Sequence, residues 1–197
     1  MSKKTHTFKA EVQQVLDLVI HSLYSKKEIF LRELLSNASD AIDRAHYLGL
    51  TDKTVVADAP TWKIDIIADK EDKTLVIADN GVGMTEEELD KNIGVIASSG
   101  TKAFAQALRE KSQTNIPELI GQFGVGFYSA FMVAETVTIV TLKRGNGQKA
   151  VKWMSSGDGS YSLEDAARDR PGTTVVLKLR DGMDEYLEEW RIRELVK

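Results

Sequence analysis

Lys73-Thr74-Leu75-Val76-Ile77-Ala78-Asp79-Asn80-Gly81-Val82-Gly83-Met84-Thr85 reads as an apolar strand that ends on a carboxylate and runs into a glycine-loosened loop. Upstream, Trp62-Lys63-Ile64-Asp65-Ile66-Ile67 alternates as a half-buried strand, and the polar turn 69–72 joins the two runs, so together they make a hairpin. Asn80-Gly81 taken alone is a favoured hairpin turn. Thr85 with Glu88, however, has the spacing of a capping box, which predicts a helix over 86–93. A loop that leads into a capped helix has no chain to reverse, so its glycines are better explained as making room.

Working outward, helical periodicity dominates the beginning of the chain. Phe8, Val12, Val15, Leu16, Val19, Ile20 and Leu23 recur at three- and four-residue spacing, and a second amphipathic run covers 27–48. Small and polar residues fill 94–115, and 94–125 is expected to be a mobile lid. The apolar run after Gly126 is expected to be helical, with strands at 137–142, 150–154, 160–163 and 173–179 separated by turn signals. The expected class is α+β, with helices packed on one face of a mixed, mostly antiparallel sheet. The charged helical pattern over 185–197 has no stop signal, which suggests a segment cut from a longer protein.

Residues 1–197 are expected to form one domain. Hydrophobic residues make up 42% of the chain and charged residues 28%, with three prolines, a globular and not a disordered composition. Twenty-six basic against 30 acidic residues give a net charge of -4, which argues against a nucleic-acid partner. No apolar run approaches the ~20 residues of a membrane span, and residues 1–8 lack a secretory signal's apolar stretch. Cysteine is absent, which removes thiolate metal sites and cysteine nucleophiles and fits a cytoplasmic location.

Three features bear chemistry. At ~100 degrees per residue, Glu33, Asn37, Asp40 and Arg44 fall on one helical stripe beside the apolar arc of Leu31, Leu34, Leu35, Ala38, Ala41, Ile42 and Ala45. Alone, that stripe fits a solvated helix face as well as a pocket floor. Asp79, after an apolar strand, either meets donors when buried or is solvated at a turn; there it could accept a hydrogen bond from an exocyclic amine such as adenine's. Met84 is placed to pack on a flat ring. Gly121-Gln122-Phe123-Gly124-Val125-Gly126-Phe127 matches neither GxGxxG nor the P-loop, and reads either as a tight helix start or as free N–H groups for phosphate oxygens.

Taken together, Glu33–Ala41, Asp79–Met84, Ile96-Ala97-Ser98-Ser99-Gly100-Thr101, Gly121–Phe127 and Pro171-Gly172-Thr173-Thr174-Val175 resemble, in order and spacing, the nucleotide-binding domain of the heat-shock protein 90 chaperones, closest to bacterial members. The resemblance implies the Bergerat (GHKL-type) ATP-binding fold. It implies Glu33 as the base that activates water, Arg32 as its positioning neighbour, and Asn37 as the magnesium ligand. It places the adenine amine on Asp79, with Gly83 and Thr173 acting through water and Met84 and Phe127 near base and sugar. Asn92 and the 121–126 backbone (Gly121, Gln122, Phe123, Gly124, Val125, Gly126) would meet sugar and phosphates, with Asp40, Ala41, Ser99 and Gly100 completing the site. ATP, ADP and Mg2+ are the implied cofactors.

Two positions depart from the family's pattern: Ser98 stands where the family commonly has lysine or arginine, and, as a milder change, Arg44 where lysine is expected. The implied activity is weak ATP hydrolysis that drives clamp closure on client proteins in stress and folding. In the family a middle domain supplies an arginine and a C-terminal domain dimerises, so the isolated chain is expected to be monomeric. The pocket is expected to accept ATP-competitive inhibitors. Competing readings are a topoisomerase or mismatch-repair ATPase, disfavoured by the second glycine motif and the acidic balance, and a non-catalytic nucleotide-binding module.

Overall fold

The computed structural model describes residues 4–7, 27–57, 61–94, 126–145 and 147–197. In chain order the regular elements are β1 (Lys4–Thr7), α1 (Ile29–Thr51), β2 (Ile64–Asp69), β3 (Thr74–Asp79), the short α2 (Glu86–Leu89), β4 (Ala134–Leu142), β5 (Ala150–Ser155), β6 (Ser160–Ala166), β7 (Gly172–Leu179) and α3 (Glu189–Val196). The β2–β3 hairpin forms as its alternation demands, with Ile66 opposite Ile77. Asp69 shapes the turn by accepting from the N–H groups of Glu71 and Asp72.

The strands form one sheet of seven in the order β1-β6-β5-β4-β7-β3-β2. The class is α+β as expected, and every described strand pair is antiparallel. The long-range step is β7, which inserts between β3 and β4 and brings three ladder rows into line on the inner face. Leu75, Leu177 and Val137 form the first row, each fully buried. Ile77, Val175 and Ile139 form the next, and Asp79, Thr173 and Thr141 the third. Because side chains alternate across a strand, these rows share one face, and it turns from oily to polar toward the end of β3.

Phe30, Leu31 and Leu34 of α1 cover that face with Tyr128 and Phe131, which belong to a 3-10 segment, Gly126–Met132. All residues of this segment are buried. The apolar run that suggested a helix is wedged against α1 and β4, with no solvated side for an amphipathic α-helix to present. Phe127 meets Tyr128 and Trp153 edge-on at 5.5 and 5.7 Å, the favoured aromatic geometry.

The other elements differ from expectation in detail. The Thr85–Glu88 capping box forms, but α2 passes at once into a π-helical turn, Asp90–Gly94. Two tyrosine hydroxyls hold that turn: Tyr161 donates to the Asp90 carboxylate at 2.5 Å and Tyr128 to the Ile93 carbonyl. β1 was not foreseen, because Lys4-Thr5-His6-Thr7 is too short and polar to show alternation. The expected 185–197 helix is split into a 3-10 turn, Asp184–Leu187, and α3. The expected 8–23 helix and the 94–125 lid lie almost wholly outside the described residues. Among the described residues no helix is long and apolar enough to cross a membrane.

If the graded inner face organises the fold, Leu177→Ala should cost about 2–5 kcal/mol. Ile67→Thr, on the exposed face of β2, should change stability by less than about 0.5 kcal/mol. Equilibrium urea unfolding of the two variants measures both.

Candidate functional site

The loop after β3 is bolted to the middle of α1. Gly81 lies so close to the helix that a Cβ there would stand 2.6 Å from the Ala41 carbonyl carbon. The neighbouring Val82 N–H donates to the Ala41 carbonyl at 2.9 Å. Gly83 has φ +62, and a Cβ on it would overlap the Leu142 carbonyl oxygen. Both glycines are therefore required by approach and conformation, and their packing brings the end of β3 beside the helical stripe.

Between α1 and the sheet lies a cavity of about 610 Å³, within the usual size range of small-molecule sites. Its wall is the Ile77–Val175–Ile139 row and its polar end holds Asp79 and Thr173. Thr141, fully buried, ties this end together: its hydroxyl lies 3.0 Å from Thr173 Oγ1, donates to the Gly172 carbonyl at 3.2 Å and accepts from the Met84 N–H at 3.0 Å.

Asp79 is 8% exposed, and its Oδ1 accepts from the N–H groups of Gly81 at 2.8 Å and Thr173 at 3.3 Å. Burial pushes its carboxyl up to about 6, while the two N–H donors and the cations of Arg168 and Arg144 pull the other way. Glu33 is also raised, through burial, with the Arg32 charge opposing. Its carboxylate fits against Gly126, where any Cβ would overlap Glu33 Oε2. Two carboxyls thus sit at separate places in one cavity, each in a different environment.

Of the residues singled out from sequence, Glu33, Asn37, Asp40, Ala41, Asp79, Gly83, Met84, Asn92, Gly126, Phe127 and Thr173 all line this cavity. Arg32 does not: it is exposed and outside the lining. Consecutive residues on a helix point about 100 degrees apart, so Glu33 facing inward turns Arg32 away. Ser99, Gly100, Gly121, Gln122, Phe123, Gly124 and Val125 lie outside the described residues.

Sequence reading missed other parts. Lys143 pairs with Glu88 through both carboxylate oxygens at 2.7 and 2.9 Å, and both line the cavity, as does Arg44 of the sequence-read stripe. Burial acts to raise the Glu88 carboxyl, but Lys143 and the Thr85 N–H outweigh it and hold the pKa below the ordinary value. Glu88 was noticed only as a cap, and nothing in the sequence joins it to Lys143. Arg144, 6% exposed, is buried behind the loop and donates to the Gly81 carbonyl.

The raised Asp79 pKa has a definite sign. A folded pKa of about 6 against an ordinary 3.8 means that the folded state holds this proton more tightly. The associated stability is complete below about 3.8 and is lost as pH rises through about 6, a penalty on the order of 3 kcal/mol for the ligand-free protein. Asp79→Asn keeps an acceptor for Gly81 and Thr173. It should stabilise the protein by about 1–3 kcal/mol at pH 8 and hardly at all at pH 4, read by urea unfolding of both proteins at both pH values.

Comparison with known proteins agrees with this geometry. Residues 24–162 match the family model described as histidine kinase-, DNA gyrase B- and HSP90-like ATPase. The chaperone protein HtpG of Geobacter sulfurreducens is 56% identical over 198 residues, covering 100% of this chain and 30% of the relative. HtpG of Fusobacterium nucleatum is 51% identical over 199 residues, covering 100% of this chain and 32% of the relative. HtpG of Myxococcus xanthus is 48% identical over 194 residues, covering 98% of this chain and 30% of the relative. The chain thus spans about a third of the length of these relatives. With its loop bolted to the helix, its buried carboxylate and a family match across most of its length, the chain belongs to the histidine kinase-, DNA gyrase B- and HSP90-like ATPases.

Proposed function

We propose that the cavity binds ATP and ADP, with the adenine amine donating to Asp79 and the phosphates lying toward Asn37 and Glu33, and that the chain is the ATPase domain of a chaperone. The observation that carries the reading is the buried Asp79 carboxylate directly beyond the aliphatic Ile77–Val175–Ile139 row of the cavity wall. One of its oxygens is engaged by backbone donors. An ionised carboxylate accepts and does not donate, so it suits a donating amine and repels a carbonyl at the same place. The Ile77–Val175–Ile139 wall, with Met84 also lining the cavity, suits a flat base.

Asn37 is exposed to the cavity one helical turn from Glu33. Among the described residues no cluster of three or more His, Cys, Asp or Glu could hold a metal by itself. That fits magnesium, which commonly takes one or two protein oxygens and completes its octahedron with phosphate and water. Asn37 would supply the protein oxygen, and Mg2+, when bound with nucleotide, would neutralise charge developing on the phosphates.

Glu33 is the group for the chemical step. Its partly desolvated carboxylate accepts a proton from the water that attacks the γ-phosphorus; the bond to the β,γ-bridging oxygen breaks, leaving ADP and inorganic phosphate. Gly126 leaves room for that carboxylate. Arg32, outside the lining, acts only through its charge on Glu33.

The HtpG relatives are named as chaperones, and this supports reading the hydrolysis as the driver of clamp closure on unfolded or partly folded client proteins. We further read the chain as a cytoplasmic, largely monomeric unit of an assembly that dimerises elsewhere, with a pocket open to ATP-competitive inhibitors.

Calorimetry with ADP and Mg2+ tests binding: the chain should give saturable heat. Asp79→Asn should weaken affinity at least ~100-fold, because its amide presents a donor to the adenine amine. Heat unchanged by that substitution would refute the base assignment. Glu33→Ala should retain ADP affinity within about threefold and abolish phosphate release; retained hydrolysis would remove Glu33 from the chemical step.

A further inference from the structure

Four successive main-chain carbonyls, from the last residue of β3 onward, accept hydrogen bonds from two arginines. The Asp79 carbonyl accepts from Arg168 Nη2 at 3.2 Å, Asn80 from Arg144 Nη2 at 2.7 Å, Gly81 from Arg144 Nε at 2.9 Å, and Val82 from the Arg144 main-chain N–H at 2.9 Å. Arg144 also donates through Nη1 to the Val55 carbonyl at 3.1 Å, and its guanidinium lies 4.9 Å from the centre of the Trp62 ring. Arg168 is fixed in turn by Thr174 Oγ1 at 2.5 Å and by the Arg170 carbonyl at 2.8 Å.

Asp79, Gly81 and Val82 are buried, so the carbonyls of this loop must find partners within the protein. Burying a guanidinium at 6% exposure is costly unless its donors are used. Here they are spent on consecutive peptide groups of the loop that carries Asp79. A planar fork suits this task, because Nε and Nη2 reach adjacent carbonyls at once, which a lysine ammonium cannot reproduce. The two arginines come from different connections, Arg144 just after β4 and Arg168 between β6 and β7, and approach the same loop. Their positive charge also opposes the effect of burial on the Asp79 carboxyl.

We propose that Arg144 and Arg168 are positioning residues for base recognition: by holding the 79–82 backbone rigid they aim the Asp79 carboxylate and set the preference for a 6-amino purine over a 6-oxo purine. This rests on the reading of the cavity as an adenine-nucleotide site. Neither arginine lines the cavity, so they act through the loop. Rigid placement matters because a carboxylate that can drift accommodates either base edge, whereas one held in place rejects the wrong one.

The test compares ADP with IDP, which bears a carbonyl in place of the amine, by calorimetry on the intact chain, with cooperative unfolding as the check of folding. Wild type should prefer ADP by at least about tenfold. Arg168→Gln and Arg144→Lys should each lower ADP affinity several-fold or more while leaving IDP affinity within about twofold, so the ratio collapses toward one. Folded variants that keep the wild-type ratio, or that lose both nucleotides equally, overturn the inference. If Arg144→Lys shows no cooperative transition, Arg168→Gln, at a half-buried residue of a mostly exposed turn, decides alone. Wild type without discrimination would instead sink the adenine reading, and the inference with it.

Discussion

Everything functional in this fold depends on the close approach of Gly81 to Ala41. The peptide groups of the loop and of α1 meet with no side chain between them, and the Val82 N–H fills a lone pair on the Ala41 carbonyl in mid-helix. That contact sets the distance between the end of β3 and the Glu33–Arg44 stripe. A larger residue at 81 would push the two walls apart, and the 610 Å³ cavity between them would lose its shape.

The sheet contributes the second constraint. By lying between β3 and β4, β7 aligns Asp79, Thr173 and Thr141 in one row directly beyond the aliphatic row of Ile77, Val175 and Ile139. The sheet side of the cavity is therefore an aliphatic wall with a polar end, and it takes no more than the period-2 alternation of three strands. The buried carboxylate at its end costs stability while it is ionised in the ligand-free protein; in the proposed function the adenine amine is the donor that offsets this cost. The backbone N–H groups of Gly81 and Thr173 hold this carboxylate in place.

Much of this was legible in the sequence because it is local. The β2–β3 hairpin, the capped α2 and the stripe on α1 each follow from spacing within a few residues, and the glycines at 81 and 83 were read as making room because a helix follows them. What was not legible is long-range. Arg144 lies 63 residues beyond Gly81, in a turn that looked like punctuation. Lys143 finds Glu88 at a separation of 55. The 3-10 form of 126–132 arises because α1 and β4 bury every side of it, a tertiary fact that overrides an apolar run suited to a helix. The resemblance gave Arg32 as the positioning neighbour of Glu33, and helical geometry turns it outward from the cavity.

The most direct test is a crystal structure of the chain with ADP and Mg2+. The account predicts the exocyclic amine of adenine within hydrogen-bond distance of the Asp79 carboxylate, the base against Ile77, Val175 and Ile139, and the phosphates beside Asn37. A nucleotide bound elsewhere, or with its amine turned away from Asp79, would contradict it.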